Sequence, residues 1–244
     1  MSIGRDIART LKPHPAEGLL PPLFLVLTFV TGVVDATSYL SLGHVFVANM
    51  TGNVVFLGFG LAGAGGISVW ASLTALAFFL GGGVVGGRVG SAFAGDRDRH
   101  LRVAIGIQTV LVAAALIVAA VAGDSIGATA RYSLIALLAS GMGIQNAAAR
   151  KLAVPDLTTT VLTLTLTGVA SDSRLAGGEG ARIGRRGLAI ISMLLGALIG
   201  GLLVLHTDDA APLGLATALL LLVLITASEP VKSRLLPPPT ATES

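Results

Sequence analysis

Long apolar runs follow one another along almost the whole chain, and this pattern limits the possible folds more than any other feature. Six runs can be distinguished, at residues 22–42, 67–93, 101–122, 132–152, 187–205 and 213–227. A helix needs about 20 mostly apolar residues to cross the hydrocarbon core of a bilayer. Only 12% of the residues are charged, whereas a soluble domain has about 25%. The chain is therefore predicted to be an all-α membrane protein with several spans.

Two shorter segments interrupt this series, and they resemble each other. Segment one is residues 45–65 and segment two is residues 155–170, and their starts align at a constant offset of 107 residues. Their polar residues are Asn49, Thr51, Gly52 and Asn53 in segment one, and Thr158, Thr159 and Thr160 in segment two. Segment two is shorter than a crossing helix requires. The pair marks corresponding places in two halves of the chain.

Glycine patterns support this internal repeat. A Gly-x-x-Asp pattern at 32–35 matches Gly-x-x-Asn at 143–146, and a Gly-x-x-x-Gly-Gly pattern at 82–87 matches another at 196–201. Such small residues are typical of closely packed membrane helices, and they would also permit a homo-oligomer. The predicted organisation is a tail at 1–21, a membrane domain at 22–228 with repeats at 22–122 and 131–228, and a disordered tail at 229–244.

Basic residues bear on whether segments one and two cross the bilayer. If all eight apolar segments cross, 6 of the 16 lysines and arginines lie on the outer side. If both segments enter and return on the same face, 15 of the 16 are cytoplasmic, as are both termini, and only Arg131 is outside. The positive-inside rule favours the second topology. It predicts six transmembrane helices in two inverted three-helix repeats, each with a re-entrant or broken half-helix segment, which is an organisation found in secondary transporters.

The polar residues of the two segments are candidates for a ligand site. Half-helices that begin near Thr51 and Leu157 would bring their N-termini together at the membrane midplane, where free N–H groups suit an anion or a polar group. Thr51 and Thr158 are suitable N-caps, and Gly52 would allow a ligand close to the backbone. In the alternative interpretation both segments are plain helices, whose Thr and Asn side chains bond to neighbouring helices.

Asp35 is the only acidic residue well inside a predicted span. An ionisable residue there is costly, and it marks a functional site by default. It would carry a coupling proton or balance a bound cation. The alternative is a structural hydrogen bond to Tyr39, Thr37 or a half-helix N-terminus. The predicted binding residues are Asp35, Asn49, Thr51, Gly52, Asn53, Gln145, Asn146, Thr158, Thr159 and Thr160.

Other function classes find little support in the residues. The pI is about 9.8, but the basic residues flank the spans, so nucleic-acid binding is not expected. The chain has no Cys, and its four histidines lack metal-ligand spacing. Neither a nucleotide-binding motif nor a catalytic constellation is visible, so no cofactor and no enzymatic activity are expected. The prediction is a secondary transporter or permease for a small solute, proton-coupled through Asp35; the alternatives are a passive channel and a non-transporting scaffold or assembly protein.

Two longer motifs are similar to those of a known family. The sequence GVVDATSYL at 32–40, followed by VFVANMTGN at 45–53, resembles the first signature of the YoaK-type family. These are bacterial multi-pass membrane proteins defined by a domain of unknown function. GIQNA at 143–147 and PDLTTT at 155–160 resemble the family's second signature. The resemblance implies a bacterial inner (plasma) membrane protein, with the lipid bilayer as its surroundings.

Overall fold

A computed structural model describes residues 3–11, 18–123, 125–157, 159, 162–178 and 183–227, and most of these residues are helical. The helices are α1 (Ile3–Leu11), α2 (Leu20–Ser41), α3 (Met50–Leu61), α4 (Val69–Ala92), α5 (Arg97–Ala122), α6 (Ala128–Leu152), α7 (Leu162–Ser171), α8 (Ile183–His206) and α9 (Ala210–Thr226). A 3-10 turn, Arg174–Ala176, lies between α7 and α8. These residues contain no strand, which confirms the all-α prediction.

Among the described residues, four helices are long and apolar enough to cross a bilayer, namely α2, α4, α5 and α8. Of the other two predicted spans, α6 has 25 residues but is more polar, and α9 is apolar but has 17 residues. Large apolar side chains such as Trp70, Val121 and Leu194 are exposed on the surface of the bundle. A surface of this kind suits lipid rather than water. The α2 helix, by contrast, is mostly buried and lies at the centre of the bundle.

Local chemistry accounts for several helix ends. Pro21 and Pro22 lie in the first turn of α2, where no backbone N–H is needed. The side chains of Ser68 and Asp96 cap α4 and α5 by accepting hydrogen bonds from backbone N–H groups two to three residues into each helix. Ala153 adopts a left-handed conformation with φ of 46° and ends α6. The span boundaries therefore follow from the sequence to within a few residues.

Glycines bring α4 and α6 into direct backbone contact. A Cβ atom at Gly82 would lie 2.8 Å from the carbonyl carbon of Ser140, and one at Gly86 would lie 2.9 Å from the carbonyl oxygen of Ile144. The contact positions rise together along both helices, so α4 and α6 run parallel. Without side chains at these positions the two backbones can approach closely enough for dispersion contacts to hold the pair together in lipid.

The same arrangement joins α2 to α8. A Cβ atom at Gly196 would lie 2.9 Å from the carbonyl carbon of Phe29, and one at Gly200 would lie 2.9 Å from the carbonyl oxygen of Val33. Each contact corresponds to one between α4 and α6, at offsets of 114 residues on one helix and 111 on the other. Gly82, Gly86, Gly196 and Gly200 are thus covered by helices of the same chain, whereas a Cβ at Gly81, Gly83 or Gly87 would meet no atom within 4 Å, and a homo-oligomer stays a prediction.

The remaining helix contacts follow the same correspondence. The α5 helix packs against α6 and α9, and α9 also packs against α2. In one half α3 packs against α4, and in the other half α7 packs against α8. The α1 helix, within the predicted N-terminal tail, packs against α8 and α2. The predicted C-terminal tail, residues 229–244, lies outside the described residues.

Segment one begins and ends at the same end of the bundle. Tyr39 and His44, at and just after the end of α2, line a small cavity together with Gly65, Gly66 and Ile67, which precede α4. Between His44 and Gly65 the chain first runs back along α2 and then returns through α3. The α3 helix has 12 residues and is therefore about 18 Å long. A bilayer core is about 30 Å thick. The geometry is that of a chain that dips and returns, and it puts the end of α2 beside the start of α4.

Candidate functional site

Asp35 holds the start of segment one. Its Oδ1 atom accepts hydrogen bonds from the backbone N–H groups of Val47 at 2.9 Å and Ala48 at 2.8 Å. Only 5% of the Asp35 residue is exposed. The N-cap residue of α3, Asn49, makes no side-chain capping bond. A carboxylate beside N–H groups at a helix start is stabilised by them and by the helix dipole. From the sequence, a structural hydrogen bond between Asp35 and a half-helix N-terminus is the alternative to a functional role, and the structure contains such bonds just before α3.

The Asn53 side chain serves the backbone rather than an open site. Its Oδ1 accepts from the Phe46 N–H at 2.9 Å, its Nδ2 donates to the Phe46 carbonyl oxygen at 2.6 Å, and the residue is fully buried. Gly52 lies under the Phe46 ring, where a Cβ would approach the ring to 2.7 Å. Thr51 is exposed and lies inside α3, which begins at Met50. The prediction that Thr51 is the N-cap is therefore wrong, because Asn49 has that position.

A cavity of about 310 Å³ opens beside Asp35, and we call it cavity one. Its walls are α2, α8 and the start of segment one. The residues that matter for its chemistry are Asp35, Tyr39, Phe46, Asn49, Met193 and Ala197. Tyr39 and Phe46 stack with ring centroids 5.0 Å apart, and Phe56 extends the stack beyond Phe46. Of the predicted residues in the first half, only Asp35 and Asn49 line the cavity.

Segment two begins with a strained loop. Asp156 and Thr159 have positive φ values of 62° and 61°, which non-glycine residues seldom adopt. Thr159 is 3% exposed, and its Oγ1 atom has no hydrogen-bond partner. Thr158 and Thr160 lie outside the described residues. The predicted helix start near Leu157 is too early, because Thr159 is not helical and α7 is described from Leu162.

Arg186, near the start of α8, closes segment two on itself. Its Nε donates to Asp156 Oδ1 at 2.9 Å, and its Nη1 donates to Asp172 Oδ2 at 2.7 Å and to the Gly168 carbonyl oxygen at 2.6 Å. Asp156 precedes α7 and Asp172 follows it, so both ends of the segment meet one guanidinium. Gly168 allows this approach, because a Cβ there would lie 2.8 Å from the Arg186 Cζ. Segment two, like segment one, therefore begins and ends at one end of the bundle.

Removing this guanidinium should loosen segment two. We expect Arg186→Ala to lower the hydrogen-exchange protection of α7 by about tenfold, since the partly buried charge-assisted bond to Asp156 contributes about 1.5 kcal/mol. The bond from Arg186 also holds the pKa of Asp172 below its ordinary value. That contribution is therefore present at neutral pH and is lost as the pH falls through the lowered pKa. Arg88→Ala is the control, and equal protection in both variants would contradict the clamp.

A larger cavity of about 870 Å³, which we call cavity two, lies beside the start of segment two. Its walls are α4, α6 and residues 153–157. Three polar side chains line it, those of Asn146, Arg150 and Lys151; the other lining residues are glycine or apolar. Asn146 also donates from Nδ2 to the Met142 carbonyl oxygen at 2.9 Å. Of the described residues predicted in the second half, only Asn146 lines this cavity.

Gln145 lies in neither cavity. Its Nε2 donates to Thr31 Oγ1 at 2.9 Å, and its Oε1 accepts from Gln108 Nε2 at 2.7 Å. Both glutamines are almost completely buried. They join α2, α5 and α6 at the centre of the bundle, where interhelical hydrogen bonds between amides stabilise membrane helices. Gln145 is therefore a packing residue in this structure, and the predicted set divides between two cavities and the core.

The residues that line the two cavities correspond at the offsets of the predicted repeat. Eight of the nine residues that line cavity one have a counterpart, at the repeat offsets, that lines cavity two. Asp35 corresponds to Asn146, and Tyr39 corresponds to Arg150. No lining residue is shared, so the two segments do not form the single facing site that the sequence predicted. Sequence reasoning also missed Arg150 and Lys151, although their position one turn after Asn146 could have signalled them.

Comparison with known proteins assigns the chain to a family. Residues 23–226 match the family described as "Protein of unknown function (DUF1275)". The UPF0700 transmembrane protein YoaK of Bacillus subtilis (strain 168) is 37% identical over 151 residues, which cover 62% of this chain and 65% of that protein, slightly less than two thirds of its length. No solved structure matches the chain significantly. The resemblance to the YoaK-type family is confirmed, and the chain is a transmembrane protein that belongs to the DUF1275 family.

Proposed function

We propose that this protein is a secondary transporter or permease for a small solute, in which two inverted three-span repeats expose related cavities to opposite sides of a bacterial inner membrane. The observation that carries the proposal is the pair of cavities. They are built from corresponding residues, yet one is about 310 Å³ and the other about 870 Å³. In inverted-repeat transporters the two halves exchange conformations, so that one side opens as the other closes.

The inversion rests on helix directions. The end of α2 lies beside the start of α4, at the small cavity that Tyr39 and Gly66 line, so these two helices run in opposite directions. The α6 helix, which is the repeat counterpart of α2, runs parallel to α4 and hence opposite to α2. Six crossings with two re-entrant segments agree with these directions. They also agree with a cytoplasmic location for 15 of the 16 basic residues and for both termini.

In this assignment cavity two faces the cytoplasm and cavity one faces the outside. Arg150 and Lys151 lie at the cytoplasmic end of α6, and Asp209 contacts Ser41 at the outer end of α2. The structure then represents an inward-facing state, with the outer cavity narrow. Asp35 is placed to couple solute movement to protons, because its carboxylate holds the segment that forms one wall of the outer cavity.

Reporter cysteines test the alternating exposure. The native chain has no Cys, so Gly83→Cys in cavity two and its counterpart Ala197→Cys in cavity one are each unique. A Cβ at Gly83 meets no atom within 4 Å. An impermeant maleimide should label Gly83→Cys only from the cytoplasmic side and Ala197→Cys only from the outer side. Gly83→Trp, introduced into the Ala197→Cys protein, fills cavity two and holds it open. It should slow the labelling of Ala197→Cys about tenfold, because it shifts the free-energy difference between the inward-facing and outward-facing states by about 1.4 kcal/mol.

Gly83→Ala is the matched control for the tryptophan and should leave the labelling of Ala197→Cys unchanged. Labelling of both reporters from the same side only would exclude the inverted topology. If the tryptophan has no effect on Ala197→Cys while the topology is as stated, the cavities are independent, as in a scaffold or assembly protein. If each cysteine is labelled equally from either side, the reagent passes through the protein, and the protein is a passive channel.

A further inference from the structure

The cytoplasmic-side cavity has an unusual balance of charge and apolar surface. Cavity two measures about 870 Å³, and its polar lining consists of Asn146, Arg150 and Lys151, with no acidic residue. The rest of its wall includes Phe79, Val154 and Leu157. Sites for small molecules are typically apolar, with a few polar groups that fix the orientation of the ligand. This lining fits a molecule with an apolar body and a negatively charged end.

The two cations are not neutralised within the described residues. Lys151 Nζ donates to the hydroxyl of Ser91 at 3.0 Å, and neither Lys151 nor Arg150 forms an ion pair there. Arg186, on the same side, is by contrast shared between two carboxylates. Guanidinium and ammonium groups bind carboxylate or phosphate oxygens through charge-assisted hydrogen bonds. Arg150 and Lys151 therefore keep their binding capacity available at the cavity wall.

Helix termination does not explain these cations. Positive side chains in the last turn of a helix do interact favourably with its C-terminal carbonyl groups. The corresponding positions at the end of α2, however, are Tyr39 and Leu40, and α2 has no basic residue in its last turn. A helix of this length therefore ends without cations, and the two corresponding helices carry an acid in cavity one and two bases in cavity two. The difference in charge between the two cavities is therefore not a requirement of helix termination, and we attribute it to what each cavity binds.

We propose that cavity two is the substrate site on the cytoplasmic side and that it takes a small amphipathic anion, with its carboxylate or phosphate at Arg150 and Lys151 and its apolar part along α4. That the bound anion is a substrate rests on the proposed transport function. That cavity two binds such an anion does not depend on transport. A free organic anion and the head group of an anionic lipid share this chemistry, and the experiment separates them.

Protection of a cysteine from labelling measures the binding directly. Gly87→Cys places a thiol in the cavity near Arg150, at a position where a Cβ meets no atom within 4 Å. In nanodiscs of phosphatidylcholine, octanoate at about ten times its Kd should slow maleimide labelling about tenfold, since an occupied site does not react. Octanol and octyltrimethylammonium have similar apolar bodies and should give little protection. Gly95→Cys, on the loop before α5, reports any general effect on the reagent.

Two double variants, made in the Gly87→Cys protein, test the assigned residues. Arg150→Tyr with Lys151→Leu introduces the residue types of Tyr39 and Leu40, which hold the corresponding positions in cavity one. It should raise the octanoate concentration that gives half-maximal protection by about 100-fold, or roughly tenfold for each charge-assisted hydrogen bond that the variant removes. Arg150→Lys with Lys151→Arg keeps both charges and should retain protection. Equal protection by the three eight-carbon probes, or protection that survives the Tyr/Leu variant, would overturn the proposal.

The source of the anion and the transport function are distinguished in the same assay. Nanodiscs that contain phosphatidylglycerol should not slow labelling if the ligand is a free anion. If they do slow it, and octanoate gives no protection in phosphatidylcholine, the site binds lipid head groups and the substrate assignment is overturned. If octanoate protects as expected but the Gly83→Trp wedge leaves Ala197→Cys labelling unchanged, the anion site stands and the transport function fails.

Discussion

The Gly82→Ala protein is expected to be destabilised by about 3 kcal/mol or more, although the substitution adds only one methyl group. A Cβ at Gly82 collides with the backbone carbonyl of Ser140, whose carbon lies 2.8 Å away. Backbone atoms cannot swing aside as a flexible side chain can, so α4 and α6 must separate along their whole contact. Small residues at such a crossing are what permits close helix packing in a bilayer.

Gly81→Ala is the matched control, because a Cβ there meets no atom within 4 Å. Alanine has a higher helix propensity than glycine by about 1 kcal/mol, so this neighbouring change should be neutral or slightly stabilising. Gly196→Ala should be as harmful as Gly82→Ala, since its Cβ would lie 2.9 Å from the carbonyl carbon of Phe29. Thermal unfolding of the purified proteins in detergent measures all three. Equal midpoints for the substitutions at 81 and 82 would contradict the packing.

Two Asp35 variants are expected to distinguish the contribution of this residue to stability from its proposed role in proton coupling. Asp35→Ala leaves the buried N–H groups of Val47 and Ala48 without an acceptor, which should cost about 2–6 kcal/mol, since each unsatisfied group costs about 1–3 kcal/mol. Asp35→Asn retains one acceptor oxygen, and Asn146 is the residue at the corresponding place in the other repeat. The Asp35→Asn protein should therefore fold and lose only the carboxylate charge.

The expected functional effect concerns cavity one. A protonated Asp35 is a weaker acceptor for the N–H groups of segment one, so the outer cavity should open as the pH falls. The labelling rate of Ala197→Cys, corrected for thiol ionisation with the unfolded protein, should rise on acidification in the parent and stay constant with Asp35→Asn. Asp96→Asn, which removes the carboxylate that caps α5, is the control and should keep the pH response. A pH response that persists in Asp35→Asn would rule out Asp35 as the coupling residue.

Much of the architecture is determined by the sequence alone. The apolar run at 67–93 became α4 at Val69–Ala92, and the run at 101–122 lies within α5, which its N-cap Asp96 begins a turn earlier. The repeat offsets read from glycine patterns agree with equivalent backbone contacts in the two helix pairs. These features are predictable because apolar length, capping residues and rows of small residues act locally, and each leaves its mark in a short stretch of sequence.

The roles of individual polar residues were decided only by the tertiary structure. Asn53 and Gln145 share the polarity of binding residues, but the backbone of Phe46 and the amide of Gln108 are their partners. Arg186 gave no signal beyond a positive charge, yet it joins both ends of segment two. The type of a polar residue determines which hydrogen bonds its side chain can form, but the fold determines which partner lies beside it. The division of the predicted site into two cavities of different charge follows from helix pairings that no local pattern encodes.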